Sequence, residues 1–273
     1  MSQAQAIMTN PTLLTGLVQL TKEAGNVILK IYHSDHFNVQ KKGDESPVTA
    51  ADLAAHHYII AGLKRLTPNI PVVSEEDSNS LDIGQNNSCY WLIDPLDGTK
   101  EFINKNGEFT VNLALIQDKK TSFGLVGVPI ANTVYWGGEN LGAYRQEQDK
   151  PLLITPIACV KAENPMRVLA SKSHLNEATK VLIDELGPTR LIQAGSSLKF
   201  IRIAEGLADY YPRLAPTCEW DTAAAQAVLE GANGSVKQAS GKAMVYGKAD
   251  ILNPHFIATG LCKIQDSSSA INC

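Results

Sequence analysis

Two aspartates separated by two residues stand out in the stretch W-L-I-D-P-L-D-G-T-K-E-F, which runs from Trp91 to Phe102. The apolar run Tyr90–Ile93 predicts a short buried strand that delivers Asp94 at its end. Pro95 then removes a backbone donor and fixes its own φ, while Gly98 allows a tight turn. The corner so formed holds Asp94, Asp97 and the Thr99 hydroxyl side by side. Hard cations such as Mg²⁺ take oxygen ligands in near-octahedral geometry, and a stiff corner suits them. Asp, Pro and Gly are also ordinary turn residues, so the corner by itself admits a plain strand-ending turn.

Three further acids stand at comparable places, each with a structural reading of its own. Glu75 opens the run Glu75-Glu76-Asp77 after I-P-V-V-S, an expected strand, and such a run also reads as a solvated charged face. Asp52 lies in T-A-A-D, the spacing of a capping box with Thr49 as N-cap, and it suits the helix dipole. Asp221 lies at the start of an expected helix, Trp220–Ala232, where an acid also suits the dipole and a phosphate could rest. Glu75, Asp94, Asp97 and Asp221 together are the inventory of a hard-metal phosphatase. They supply acids for two or three Mg²⁺, and Thr99 supplies a hydroxyl to orient the attacking water. Two metals about 3.5–4 Å apart can activate water and stabilise the leaving oxygen of an in-line displacement.

The elements that must position these residues are legible in outline. Apolar residues recur at three- and four-residue steps from Pro11 to Tyr32, predicting an amphipathic helix after a loose leader over residues 1–10. The breaker cluster K-K-G-D-E-S-P precedes a second helix from Thr49 to Leu66. Alternating stretches at Thr110–Gln117, Ser122–Ile130, Thr133–Trp136 and Gly142–Arg145 predict an antiparallel meander, so the first half reads as two helices and a sheet of five or six strands. Prolines dot Pro151–Pro165 and suggest a boundary between domains at 1–153 and 154–273. Beyond it strands and helices alternate: strands at Arg167–Ala170, Arg190–Gln193 and Asp209–Tyr211, helices at Asn176–Leu186 and Ser197–Gly206. The fold class is α+β followed by α/β.

Composition narrows the partners. The chain has 273 residues and a net charge of −4, so no basic field invites a nucleic-acid polymer, and a polyanionic ligand needs metals and local basic groups. Five cysteines (Cys89, Cys159, Cys218, Cys262, Cys273) form no C-x-x-C pair and read as reduced thiols. The N-terminus lacks the regions of a signal peptide, and no apolar run approaches the roughly 20 residues of a membrane span. A cytoplasmic protein with no integral membrane segment is expected. Oligomeric state and peripheral association at the inner face of the inner membrane are left open.

V-S-E-E-D, W-L-I-D-P-L-D-G-T and E-W-D-T-A-A-A-Q with its G-A-N-G end are similar to the three signature regions of the lithium-sensitive, Mg²⁺-dependent inositol monophosphatase superfamily. The segments S-P-V-T-A-A-D-L-A-A-H, N-G-E-F-T-V-N-L-A-L-I, G-S-S-L-K-F and Y-P-R resemble its bacterial 3′(2′),5′-bisphosphate nucleotidase branch, over nearly the whole chain. The resemblance implies a five-layered αβαβα sandwich of the inositol monophosphatase / fructose-1,6-bisphosphatase type. It implies removal of the 3′-phosphate from adenosine 3′,5′-bisphosphate, and possible action on its sulfated relative, in sulfur assimilation. It further implies that Glu75, Asp94, the Leu96 carbonyl, Asp97 and Asp221 hold two or three Mg²⁺, and that Thr99 with Asp52 orients the water, beyond the cap reading of Asp52. Glu75, Leu96, Asp97, Gly98, Thr99 and Asp221 then face the substrate. Ser171 and His174 in S-K-S-H, with Gly195 and Lys199 in G-S-S-L-K, match nucleotide-contacting positions. Asn233 departs from the family pattern, standing where many relatives have glycine.

Three rivals remain. An aspartyl-phosphate phosphatase would separate its acids by one residue, whereas Pro95 and Leu96 separate Asp94 from Asp97. The same fold could act on inositol monophosphate or fructose 1,6-bisphosphate, or serve as a non-catalytic metal or nucleotide sensor.

Overall fold

The computed structural model describes residues 2–34, 40–41, 47–147, 154–171, 176–261, 263–264 and 271–272. Residues 3–9 are a helix rather than a loose leader: α1 (Gln3–Thr9) is closed by a capping box between Ser2 and Gln5 and buries Ala4 and Ile7. Asn10 then caps α2 (Pro11–Tyr32), with its side chain accepting from the Leu13 N–H and Pro11 in the first turn, where a missing donor costs nothing. Two short antiparallel strands, β1 (Gln40–Lys41) and β2 (Pro47–Val48), precede α3 (Ala50–Leu66), which begins at the expected Thr49 cap.

The first sheet has seven strands, one or two more than the sequence pattern suggested. Its order is β3 (Val72–Ser74), β4 (Cys89–Asp97), β5 (Thr110–Gln117), β6 (Lys120–Val128), β7 (Thr133–Gly138), β8 (Gly142–Glu147) and β9 (Ile154–Ile157). From β4 to β9 every pairing is antiparallel, the expected meander, while β3 adds in parallel to β4. The continuous apolar run of β4 has a simple cause: both faces are covered. Trp91 and Ile93 enter a core shared with α2 and α3, and Tyr90 and Leu92 enter another. That other core is built with α7 (Leu198–Ala204) and α8 (Ala223–Gly231), which form a middle helix layer.

On the far side of these helices lies a second, mixed sheet of five strands, in the order β11 (Thr189–Ala194), β10 (Met166–Ser171), β12 (Tyr210–Arg213), β14 (Phe256–Thr259) and β13 (Ser235–Gln238). Val168 and Tyr210 on its outer face pack with Ile183 of α6 (Glu177–Glu185), which closes the last layer. The layers therefore run helix, sheet, helix, sheet, helix: the αβαβα sandwich. Two small helices, α4 (Leu81–Asn86) and α5 (Thr99–Ile103), flank β4. We propose that the chain divides near the expected 153/154 boundary, with β9 assigned to the first unit because it pairs with β8.

The middle layer is held tightly. A Cβ added at Gly124 on β6 would lie 2.1 Å from the Ala224 carbonyl oxygen of α8. Because that contact is backbone rather than a flexible side chain, Gly124→Ala must push α8 away from the sheet. It is expected to lower stability by about 1–3 kcal/mol or more in urea unfolding; an unchanged midpoint would show that α8 is free to shift.

Candidate active site

β4 carries the first two acids by means of an irregularity. Asp94 pairs with Asn112 and Asp97 with Thr110, so three steps on β4 match two on β5. In a regular strand residues three apart point to opposite faces; one inserted residue restores their parity and turns both carboxylates the same way. Pro95 sits in the bulge, where no ladder donor is missed. The Leu96 N–H donates to Asp94 Oδ1 at 3.0 Å, fixing that side chain against its own turn. Gly98 follows at φ 96°, and a Cβ there would meet the Glu108 carbonyl oxygen at 3.1 Å and Ser196 Cβ at 3.3 Å. Only glycine suits this position.

Asp52 serves two structures at once. Its Oδ2 accepts from the Thr49 N–H at 2.8 Å and the Thr49 hydroxyl at 2.5 Å, closing the capping box of α3. Its Oδ1 accepts from the Thr99 hydroxyl at 3.1 Å. Burial pushes its pKa above the ordinary carboxylate value, against the pull of the Thr49 and Thr99 hydrogen bonds.

Asp221 arrives from the other end of the chain. It does not open a helix: it ends a 3₁₀ turn, Glu219–Asp221, and α8 starts two residues later. Its Oδ2 accepts from the Cys218 N–H at 2.7 Å. One carboxylate oxygen from each of Asp94, Asp97 and Asp221 lies within 4.8 Å of the others. Glu75, half-buried rather than on a solvated face, is hydrogen-bonded to Asp94, and its N–H donates to the Ile93 carbonyl at 3.2 Å. Asp77, the last of the three adjacent acids, caps the turn at Ser78.

Burial and mutual repulsion hold Asp94 and Asp221 well above the usual carboxylate range. Burial likewise pushes Asp97 up to about 6, although the Lys199 charge and hydrogen bonds from Ser197 and Asn112 pull the other way. The donor set is all oxygen and rich in negative charge, which suits a hard divalent cation. The residues fit such an ion.

The acids open on a cleft of about 270 Å³. Glu75, Asp97, Gly98, Thr99, Ser171, Lys199 and Asp221 are among the residues that line it. Leu96 is buried, its carbonyl oxygen 3.4 Å from the Thr99 hydroxyl, whose proton goes to the nearer Asp52 Oδ1. Gly195 is also buried rather than in the lining: its N–H donates to Glu108 Oε2 at 2.8 Å. His174 lies outside the described residues, as do Cys262 and Cys273. Lys199 is buried, which pushes its pKa down to about 8, and it donates to the Ser196 carbonyl at 2.6 Å.

Other lining residues carry no reading from their types. Arg213, Tyr211 and Phe256 face the cleft from the second sheet. Ser196 lines it at φ 41°, with a buried hydroxyl that has no partner among the described residues. A strained backbone and an unpartnered hydroxyl are features found at functional sites, which makes Ser196 a candidate ligand contact. The doubled serine of G-S-S-L-K was the one visible signal. Asn233, the departure noted in G-A-N-G, adopts φ 68° after α8, a left-handed position that asparagine tolerates next best after glycine.

The model of the inositol monophosphatase family matches residues 10–270. The chain belongs to the inositol monophosphatase family. Within it, the chain is 42% identical over 249 residues to the 3′(2′),5′-bisphosphate nucleotidase CysQ of Salmonella typhimurium, covering 90% of this chain and 99% of that protein. It is 43% identical over 246 residues to the protein of the same name from Escherichia coli K12, covering 89% and 98%. The crystal structure of CysQ from Bacteroides thetaiotaomicron superimposes with a TM-score of 0.81 at 36% identity, covering 92% of this chain and 98% of that one. Phosphatases of this family are metal-dependent, in keeping with the acidic cluster. No helix among the described residues is long and apolar enough to cross a membrane.

The raised pKa of Asp97 fixes the sign of a stability change. Its proton is held more tightly in the folded than in the unfolded chain, so the stability it contributes is complete below its ordinary value of 3.8 and lost as the pH rises through about 6. In chelator-treated protein, Asp97→Asn is expected to shrink the fall in melting temperature between about pH 5 and about pH 7.5. Mg²⁺ should raise the melting temperature at the upper pH, by the equivalent of about 2.7 kcal/mol at a hundred times its dissociation constant. A melting temperature indifferent to Mg²⁺ would remove the cation from this site.

Proposed function

We propose that the chain is a Mg²⁺-dependent 3′(2′),5′-bisphosphate nucleotidase that hydrolyses the 3′-phosphate of adenosine 3′,5′-bisphosphate, giving AMP and phosphate. One observation carries the reading. One cleft is lined both by acids of the carboxylate cluster and by two cations, Lys199 and Arg213, with the Ser196 hydroxyl. A substrate with two phosphates uses both sets. The acids, charged through cations, hold the phosphate that leaves, and Lys199 and Arg213 hold the phosphate that stays. Tyr211 and Phe256 also line the cleft and give it apolar surface for a nucleoside. A monophosphate of a polyol would leave one set idle.

Asp94, Asp97, Asp221 and Glu75, with the Leu96 carbonyl, would hold two or three Mg²⁺. When bound, the ions supply Lewis acidity to the scissile phosphate and offset its charge. The rest falls to the chain. Thr99 donates its hydroxyl proton to Asp52 Oδ1, so the oxygen lone pairs are turned outward to accept a hydrogen bond from the attacking water. Asp52, itself clamped by Thr49, keeps that hydroxyl from rotating. The backbone N–H groups of Gly98 and Thr99, at the open start of α5, face the scissile phosphate. Lys199 and Arg213 hold the remaining phosphate, with Ser171 beside the nucleoside.

The named relatives support this substrate, and with it a place in sulfur assimilation, where the sulfated nucleotide is a second candidate substrate. The free thiols of Cys89 and Cys159 among the described residues accord with a cytoplasmic setting.

The test is phosphate release from adenosine 3′,5′-bisphosphate and from inositol 1-phosphate, with Mg²⁺, with and without Li⁺. Fast, lithium-inhibited release from the nucleotide is expected. Thr99→Ala should lower kcat by about 10²–10⁴ with its circular dichroism unchanged. Release from inositol 1-phosphate alone would keep the metal site and overturn the substrate, and release from neither would leave a sensor.

A further inference from the structure

Ser197 occupies the N-cap of α7, yet its hydroxyl accepts no hydrogen bond from that helix. A serine there ordinarily accepts from an N–H of the first turn and steadies the helix end. Here the hydroxyl reaches away to the first sheet: it donates to Asn112 Oδ1 at 2.9 Å and lies 2.8 Å from the Thr110 hydroxyl. Asn112 Nδ2 in turn donates to Asp97 Oδ2 at 3.3 Å, and the Ser197 N–H donates to the same oxygen at 2.6 Å. Ser197, Asn112 and Thr110 are all buried, so no solvent can replace a missing partner. The proton directions follow. Because the Ser197 hydroxyl occupies Asn112 Oδ1, the amide is fixed with its NH₂ toward the carboxylate. Turned over, it would set one acceptor against another. Thr110, only 3.4 Å from Asp97 Oδ2, gives its proton to the nearer Ser197 oxygen.

We propose that the Ser197 hydroxyl, acting through the Asn112 amide, is a positioning device that occupies Asp97 Oδ2 and leaves Oδ1 as the oxygen turned to a divalent cation. The inference rests on the reading of Asp97 as a metal ligand. It makes the metal site depend on a residue one hundred positions away, on a helix of the middle layer, so that cation binding senses whether that helix is seated on the first sheet. Ser197 touches neither the ion nor the substrate by its side chain; its effect passes through Asn112.

The experiment is a calorimetric titration of the metal-free full chain with Mn²⁺, in the parent, Ser197→Ala, Asn112→Ala and the double variant. Partners of this kind tune metal affinity by about 10–100-fold, and each single substitution is expected to weaken Mn²⁺ within that range. In the Asn112→Ala background, Ser197→Ala should add less than about threefold, since the amide it orients is gone. Ser197→Ala removes a single oxygen, and circular dichroism reports whether each variant is folded. If it alone unfolds, the Asn112→Ala affinity decides. Parent-like Mn²⁺ affinity in the folded variants would overturn the inference, as would full additivity in the double variant. A parent that takes up no Mn²⁺ would instead overturn the metal-phosphatase reading beneath it.

Discussion

Everything in this molecule is arranged around a repulsion. Three aspartates, one buried and two half-buried, place oxygens within 4.8 Å of one another, with a glutamate hydrogen-bonded to the group. Two unit charges about 4 Å apart at an effective dielectric near 20 repel by about 4 kcal/mol. Several such pairs would rival the whole stability of a domain, about 5–15 kcal/mol. The cluster therefore either keeps protons, as the raised pKa values of Asp94, Asp97 and Asp221 show, or meets cations. A chain that relaxed would pull the acids apart. The bulge of β4, the glycine at φ 96° and the close seat of α8 on β6 are what forbid that relaxation.

The layered fold explains why so rigid a frame is available at this spot. β4 lies inside the first sheet, paired on both edges and apolar on both faces, so its path is fixed from every side. Asp221 precedes α8, which packs between the sheets, and Ser197 and Lys199 ride on α7 in the same layer. The acids thus come from the first sheet and from the turn before α8, and the cations from α7 and the second sheet, so the helix layer contributes to both sets. A cleft lined by both charges is the natural product of that geometry.

Much of this was legible in the sequence, for definite reasons. Helix α2, Pro11–Tyr32, coincides with the reading because its apolar period is strong and Pro11 marks its start. The meander was clear because Gly and Asn punctuate its turns. The parallel strand β3 was readable as a strand but not as a member of the same sheet, since a parallel neighbour leaves no local turn signal. Glu75, Asp94, Asp97, Asp221 and Thr99 were visible through their motifs. The interaction of Thr110, Asn112 and Ser197 was not, although all three sit in segments that carry the family resemblance. Thr, Asn and Ser in strands and caps are common, and only three-dimensional proximity shows whom they serve. The spacing of a bulge likewise cannot be read without the partner strand.

Asp52 shows why competing readings of one residue need not exclude each other. T-A-A-D pointed to a helix cap, and the family resemblance pointed to the orientation of a water through Thr99. A carboxylate has two oxygens, and here they divide the work, with Oδ2 on the Thr49 cap and Oδ1 on the Thr99 hydroxyl. The cap is more than compatible with the other role, because it immobilises the acid on the first turn of α3. A free side chain at the same place would lose rotamer entropy each time Thr99 needed it. Ser197 follows the opposite course, giving up its own helix cap to hold Asn112. In both cases a residue that propensity alone would assign to a helix end is tied to the acid cluster, and the signature of that tie is where its second hydrogen bond goes.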